Sequence, residues 1–442
     1  MTYIKKNDEL TLECTDLSDQ GFGIGHHQGM TIFAADLLPG EKARVRIIRP
    51  AKTYAIAKVI ERLCDSPDRV KPACGAAGRC GGCALMHLSY PAQLLGKHRQ
   101  LSDLFHKVDP DIQVLEPLGM DNPYYYRNKA QFPIQVKDGH AEGGFYRPRS
   151  NTIVPVRECL IQHPMINRIY AWLIDHLGAG QAEGLRHLLI RYSEKTDQAQ
   201  VVFIGRHNND LQSVTEELTE TFPQIVSVVF NENTRNDNVI LGDTYTVLYG
   251  SDSLLENCMG LDISLHFKSF YQVNPQMMEK LYAKALELAG LQPDDQVIEL
   301  YSGTGTIGLL ASRHVKHVTG VEIVKEAVDN AMDNARRNHI SNAEFVCMDA
   351  SEFAAKNEKS ADVVFVDPPR KGMSAQGIED IARLSPRALI YISCNPRTLA
   401  RDLGLFKEHG YFADVIQPVD LFSHTTGMEC VARLQKKEQQ NA

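Results

Sequence analysis

No apolar stretch of this 442-residue chain is long enough to span a bilayer, and its first residues, Met1-Thr-Tyr-Ile-Lys-Lys-Asn-Asp-Glu-Leu10, lack the hydrophobic core of a secretion signal. Membrane insertion and export are thereby excluded as expectations, and the expected setting is the cytoplasm. In that reducing compartment the 10 cysteines have no disulfide framework to build, so metal binding and catalysis are the uses to look for. Internal repeats and low-complexity segments are also missing. Nor is there an excess of positive charge. The formal net charge is −8, which taken as a sum speaks against nucleic acid as a partner. The distribution differs from the sum: seven Lys or Arg lie between Lys42 and Arg62, against one acid, Glu61.

What is there divides into three segments. Residues 1–62 read as a small β-barrel. "EKARVRIIRP" alternates Ala43, Val45 and Ile47 with Arg44 and Arg46, one face buried and one cationic, and "DQGFGIGHHQGMTIF" supplies the glycines of tight barrel corners. A barrel with a basic face suits RNA, although a solvated charged edge would read the same way. Residues 63–265 mix strand and helix patterns. Their "NPYYYRNKAQF", Asn122 to Phe132, interleaves aromatics with Arg127 and Lys129, which fits either base stacking or core packing. Residues 266–442 alternate strands and helices, which specifies a doubly wound, mainly parallel α/β sheet. The polar tail "QKKEQQNA" is expected to fray.

The α/β segment carries the chemistry. Gly303-Thr-Gly305-Thr-Ile-Gly308 is a G-x-G-x-x-G loop, and Glu322 closes the next strand where an acid can hold ribose hydroxyls. Dinucleotides and S-adenosylmethionine both use such a loop. The fourth strand ends in Asp367-Pro368-Pro369-Arg370, an acidic-Pro-Pro turn typical of methyltransferases. The fifth ends in "SCNPRTLARDL", which puts Cys394 at a strand's C-terminal edge ahead of a helix opened by Asn395-Pro396. A small buried apolar residue would serve there equally well, unless a thiol is needed. Methylating carbon 5 of uracil needs one. A thiolate adding to carbon 6 makes carbon 5 nucleophilic, a base must then remove the carbon 5 proton, and a further group must polarise the uracil carbonyl. Cys394, Glu429 at the entry to a further strand, and Asp367 fill those roles.

Cys74, Cys80 and Cys83 follow the spacing C-x5-C-x2-C, which points to a metal without separating zinc from iron–sulfur, and which lacks a fourth ligand. Cys64 falls outside this pattern, and Cys14, Cys258, Cys347 and Cys430 have no partners that suggest chemistry.

Over nearly its whole length the sequence resembles the RNA 5-methyluridine methyltransferase family, in particular its ribosomal-RNA members with a TRAM domain and an iron–sulfur cluster. "SCNPRTLARDL" matches the nucleophile loop, and "DLFSHTTGMECVARL" matches the terminal motif, with Ser423 and Gly427 departing from the usual proline and histidine. The resemblance implies Cys394 as nucleophile and Glu429 as base, with His424 the next candidate. It implies S-adenosylmethionine contacts from Gln272 in "SFYQVNPQ", from Tyr301 and Glu322, and from Asp367, which matches a site that touches the cofactor, the uracil or both. It implies Cys159 as the fourth ligand of a [4Fe–4S] cluster with Cys74, Cys80 and Cys83. The implied architecture is an OB-like TRAM barrel (1–62), a central α+β iron–sulfur domain (63–265) and a Rossmann-like class I methyltransferase domain (266–442). The expected protein is a cytoplasmic monomer that methylates a uridine of 23S rRNA and binds neither membrane nor DNA. Rival readings are the same chemistry on a tRNA uridine, amino-group methylation (against which Arg370 replaces the usual aromatic), an NAD-dependent oxidoreductase, and a non-catalytic RNA-binding protein.

Overall fold

The computed structural model describes residues 4–357 and 360–436. Apart from Gln435 and Lys436, the tail expected to fray lies outside the described residues. The chain forms two compact units. One is Met1–Arg99 with Phe145–Val154 and Phe422–Thr426; the other is Gln100–Gly144, Pro155–Leu421 and Gly427–Ala442. Among the described residues, no helix is long and apolar enough to cross a membrane.

The first unit holds a six-stranded sheet of β1 (Glu9–Glu13), β2 (Asp16–Leu17), β3 (Gly23–His27), β4 (Met30–Ala35), β5 (Lys42–Pro50) and β6 (Tyr54–Cys64), in the order β1-β5-β6-β4-β3-β2. The alternation read in β5 holds: Ala43, Val45 and Ile47 are fully buried in one cluster with Leu12, Ile32 and Ala55, while Lys42, Arg44 and Arg46 are exposed. A Cβ on Gly25 would stand 2.4 Å from the Glu13 carbonyl oxygen, so only glycine lets the strands approach there. The cationic face is less naked than composition suggests. Arg46 pairs with Glu9 at 2.7 Å, Arg44 lies 3.4 Å from Glu61, and Arg62 pairs with Asp36 at 2.9 Å. Register creates the first two pairs, because Glu9 lies opposite Arg46 and Glu61 opposite Arg44.

The second unit contains an eight-stranded sheet. From one edge its strands are Ala343–Cys347, His317–Glu322, Gln296–Leu300, Val363–Val366, Ala388–Ser393, Glu429–Lys436, Tyr411–Val419 and Gln113–Val114. The first five run parallel and Glu429–Lys436 is antiparallel to both its neighbours, so the doubly wound, mainly parallel reading holds. Val363–Val366 and Ala388–Ser393 are buried throughout, as strands covered on both faces must be. Chain order alone does not reveal one contributor. Leu101, Phe105 and Ile112 pack into this sheet's core, and Gln113–Val114 extends its edge, although they precede it by some 180 residues.

The same unit has a second sheet, in which Lys129–Lys137, Leu185–Ser193, Gln198–Gly205, Ile225–Glu232 and Tyr245–Gly250 are successive neighbours. Within "NPYYYRNKAQF", Tyr126 and Phe132 are buried, and Phe132 stacks on Tyr170 with ring centroids 3.9 Å apart. For those two rings core packing is the role.

Candidate active site

The C-terminal ends of the parallel strands converge on one crevice, and each end is fixed by local chemistry. After Gln296–Leu300 the chain makes three left-handed steps, at Tyr301 (φ 64°), Gly303 (φ 54°) and Gly305 (φ 77°), before the helix Thr306–Ala311. A Cβ on Gly305 would sit 2.5 Å from the Phe345 ring, so that glycine is required by space as well as by angle. Nothing lies within 4 Å of where a Cβ on Gly303 would be, which leaves open space above the loop. The Glu322 carboxylate accepts from Gly303 N and from Val324 N, each at 3.0 Å, and so is already aimed before any ligand arrives.

Beneath the loop lies a carboxyl that the motif reading did not mark. Glu299 is buried and accepts from Gly308 N at 2.9 Å. Burial pushes it up to about 8, against the hydrogen bonds from Gly308 and Ile307. Its only sequence signal was a charged residue inside an otherwise apolar strand.

On the far side, "QVNP" is explained by capping. Asn274 is buried, accepts from Met277 N at 3.2 Å and caps the helix Pro275–Ala289, with Pro275 in its first turn. Gln272 just before it is buried, and its carbonyl accepts from Asn128 Nδ2 at 3.2 Å.

Asp367 follows Val363–Val366 and begins a loop that is stapled to the helix Pro396–Glu408. The Arg370 carbonyl accepts from Asn395 Nδ2 at 3.0 Å and from Thr398 Oγ1 at 3.2 Å. Arg401 Nη2 donates to the carbonyls of Lys371 and Met373 at 3.0 and 3.1 Å. Buried Asp402 accepts from Met373 N at 2.9 Å and from the Tyr391 hydroxyl at 2.7 Å. Asn395 caps the helix by accepting from Arg397 N, with Pro396 in the first turn, as the motif predicts.

Cys394 is half-buried and free. Burial pushes its thiol up, and so do Glu429 and Asp367; the charge of Arg370 and a hydrogen bond from it act the other way. Glu429 is 2% exposed and is pushed up to about 8 by burial and by Asp367, again opposed by Arg370. Burial lifts Asp367 to about 7. Three acidic groups share one crevice and cannot all ionise cheaply, and one exposed arginine favours the charged form of two of them. Sequence reading noted Arg370 only for not being aromatic; its role depends on a fold that turns it back toward Cys394. His424, the alternative base, lies in the first unit, with its ring nitrogen Nδ1 3.2 Å from Gln93 Nε2 and its backbone N–H donating to Gln93 Oε1 at 2.9 Å.

The four cysteines expected to hold a metal are half-buried and take part in no disulfide. Ala76 N donates to Cys74 Sγ and Gly82 N to Cys80 Sγ, both at 3.4 Å, the kind of bond that favours a thiolate. Burial raises the Cys80 thiol, as does the neighbouring Cys74. The Cys159 N–H donates to Asn167 Oδ1 at 2.9 Å. Among the described residues, no group of three or more His, Cys, Asp or Glu side chains is gathered as a metal shell. The thiol chemistry suits a soft metal centre, while the arrangement does not display one.

Comparison with known proteins identifies the family. Residues 89–437 match the family model described as tRNA (Uracil-5-)-methyltransferase, and residues 5–60 match the TRAM domain. A protein of Bacillus cereus named as an uncharacterized RNA methyltransferase is 39% identical, with 98% of each chain covered. One of Streptococcus agalactiae with the same description is 40% identical over 98% of this chain and 100% of its own. The crystal structure of the Pyrococcus abyssi tRNA (uracil-54, C5)-methyltransferase with S-adenosyl-L-homocysteine has the same fold, with a TM-score of 0.76 at 24% identity over 96% of this chain and 100% of that one. The chain therefore belongs to the tRNA (Uracil-5-)-methyltransferase family and is an S-adenosylmethionine-dependent RNA methyltransferase with an N-terminal TRAM domain.

Proposed function

We propose that the chain methylates carbon 5 of a uridine in 23S rRNA, with Cys394 as nucleophile and Glu429 as base. The observation that carries this reading is the convergence of a half-buried thiol and a buried carboxyl at the ends of adjacent antiparallel strands, with Arg370 acting on both. S-adenosylmethionine, when bound, supplies an electrophilic methyl group. Glu322, Tyr301, Gln272 and Asp367 are the residues that would hold it, and the pre-aimed Glu322 carboxylate and the open space over Gly303 fit that ligand.

Cys394 releases its proton to solvent and, as the thiolate, forms a bond to carbon 6, and the ring's electrons move to carbon 5 and the carbonyl. After methyl transfer, Glu429 takes the carbon 5 proton. The electron pair of that C–H bond restores the double bond and expels the Cys394 thiolate. Arg370 favours the thiolate before attack and again as it leaves. Asp367 lies close enough to raise Glu429 and so helps to keep that base strong.

The same reading assigns a [4Fe–4S] cluster to Cys74, Cys80, Cys83 and Cys159, remote in sequence from the nucleophile loop and therefore structural or RNA-positioning. No step of the methylation is routed through it. The cytoplasmic location and monomeric state belong to the same proposal. Mapping 5-methyluridine in rRNA and in tRNA from a strain lacking the gene tests the substrate. Loss from 23S rRNA alone supports the reading, and loss from tRNA alone transfers the same chemistry to a tRNA uridine.

A further inference from the structure

Lys129 is out of place by the ordinary rules for buried charge. It opens the strand Lys129–Lys137, is half-buried, and lies opposite Arg191 in the antiparallel register. Among the described residues its side chain has no hydrogen bond or ion pair, and the charges acting on it are those of Arg191 and Arg127. Arg191 is itself 2% exposed, with Glu256 and Tyr271 as the charges acting on it, and it is committed elsewhere. It donates to the carbonyls of His266 and Ser269, at 3.3 and 2.8 Å. Asn128, the next residue back along the chain, holds the same loop further on through Gln272 O at 3.2 Å and Val273 O at 2.9 Å. Lys129 thus lies beside two arginines with no carboxylate acting on it, and one of those arginines is fastened to the loop that leads to Gln272. A protein bears the cost of like charges in a poorly solvated place when an anion completes the set.

We propose that Lys129 is the centre of an anion site beside the cofactor loop, and that its occupant is a backbone phosphodiester of the RNA substrate next to the uridine being methylated. The inference deepens the uridine reading by assigning a residue that grips the RNA while Cys394 acts on the base. The other anion available is the carboxylate of the methyl donor, and the test separates the two.

Binding of labelled oligouridylate and of S-adenosylhomocysteine is measured separately for wild type, K129Q, K129R and K129M. Charge-assisted hydrogen bonds are worth enough that K129Q should weaken oligouridylate binding roughly tenfold. The magnitude of the salt slope should fall by about 0.7, one phosphate's share on a single strand, with S-adenosylhomocysteine affinity unchanged. Burial, with Arg191 and Arg127, pushes Lys129 down to about 8. Wild-type affinity for RNA should therefore fall as pH rises through that region, whereas K129R, which stays charged, should hold its affinity. K129M removes a charge with no protein partner, so its melting temperature should rise while its RNA binding weakens; a merely structural lysine would give the opposite shift in melting. Unchanged RNA binding in K129Q overturns the proposal. So does loss of S-adenosylhomocysteine affinity with RNA binding intact, which would reassign the anion to the cofactor. Neither result depends on whether methyl transfer goes through Cys394, so failure of that mechanism would show up separately.

Discussion

Cys394 and Glu429 stand one step beyond the register pair Ser393–Cys430, so the proposed nucleophile and base emerge side by side from two hydrogen-bonded antiparallel strands. Their spacing is set by backbone pairing, and a substitution that preserves volume should leave it intact.

Glu429→Gln is such a substitution. It should permit attack and methyl transfer but stall elimination, so that a covalent protein–RNA species carrying the donor's methyl group accumulates and survives denaturing electrophoresis. General bases contribute about 10²–10⁴-fold, and the adduct should outlive normal turnover by that order. Cys394→Ala should form no adduct and no product while still binding S-adenosylhomocysteine. Normal turnover by the Gln variant would move the base elsewhere, with His424 next in line.

Arg370 makes a prediction about pH. The Cys394 thiol and Glu429 are both raised, the latter to about 8, and both must be ionised during the cycle. kcat/KM should therefore climb as pH rises from about 7, through the region where Glu429 ionises, and keep climbing beyond about pH 9 as the raised thiol gives up its proton. Arg370→Gln removes the cation that favours both charged forms, so its profile should shift to higher pH, while Arg370→Lys should recover most of the shift. A parallel drop at every pH, with no shift, would make Arg370 a contact to RNA.

Gly305→Ala tests the cofactor loop. A left-handed residue other than glycine costs roughly 1–2 kcal/mol, and the new methyl would meet Phe345. The variant should melt several degrees lower and lose most of its S-adenosylhomocysteine affinity by calorimetry. Unchanged affinity would show that the loop does not hold the cofactor.

On the barrel, Lys42, Arg49, Lys52 and Lys58 have no ion-pair partner among the described residues, unlike Arg44, Arg46 and Arg62. Changing those four to Gln should reduce the magnitude of the salt slope of rRNA binding by up to about 3, at roughly 0.7 per phosphate on single-stranded RNA. An unchanged slope would place the RNA surface elsewhere.

For the cysteines, anaerobically purified protein should be brown and carry iron and acid-labile sulfide, and Cys80→Ser should lose both. Stoichiometric zinc without sulfide would replace the cluster with a zinc site.

The features legible in the sequence were those that chemistry ties to neighbouring residues. Ala43, Val45 and Ile47 were buried as their alternation required, and Asn274-Pro275 and Asn395-Pro396 each capped a helix. What was not legible depends on partners far along the chain. Glu9 meets Arg46 only through register, and so the seven-to-one charge count overstated the free positive charge. Gln113–Val114 joins a sheet whose other strands begin near residue 296. Arg370 became interesting only once the fold set it against Cys394, and Lys129 only once Arg191 lay opposite it.

The loop after Asp367 is fastened, through the Arg370 carbonyl and Arg401, to the helix that follows Cys394. Nucleophile and carboxylate are thus held by hydrogen bonds as parts of one jaw, at the ends of strands inside the fold. The uridine has to leave its stack and come to the jaw, at a cost of a few kcal/mol that falls on the RNA and is least where the base is already unpaired. Selection among uridines should then depend on the folding of the RNA itself, so changes in the structure of the RNA substrate should redirect methylation without any change in the enzyme.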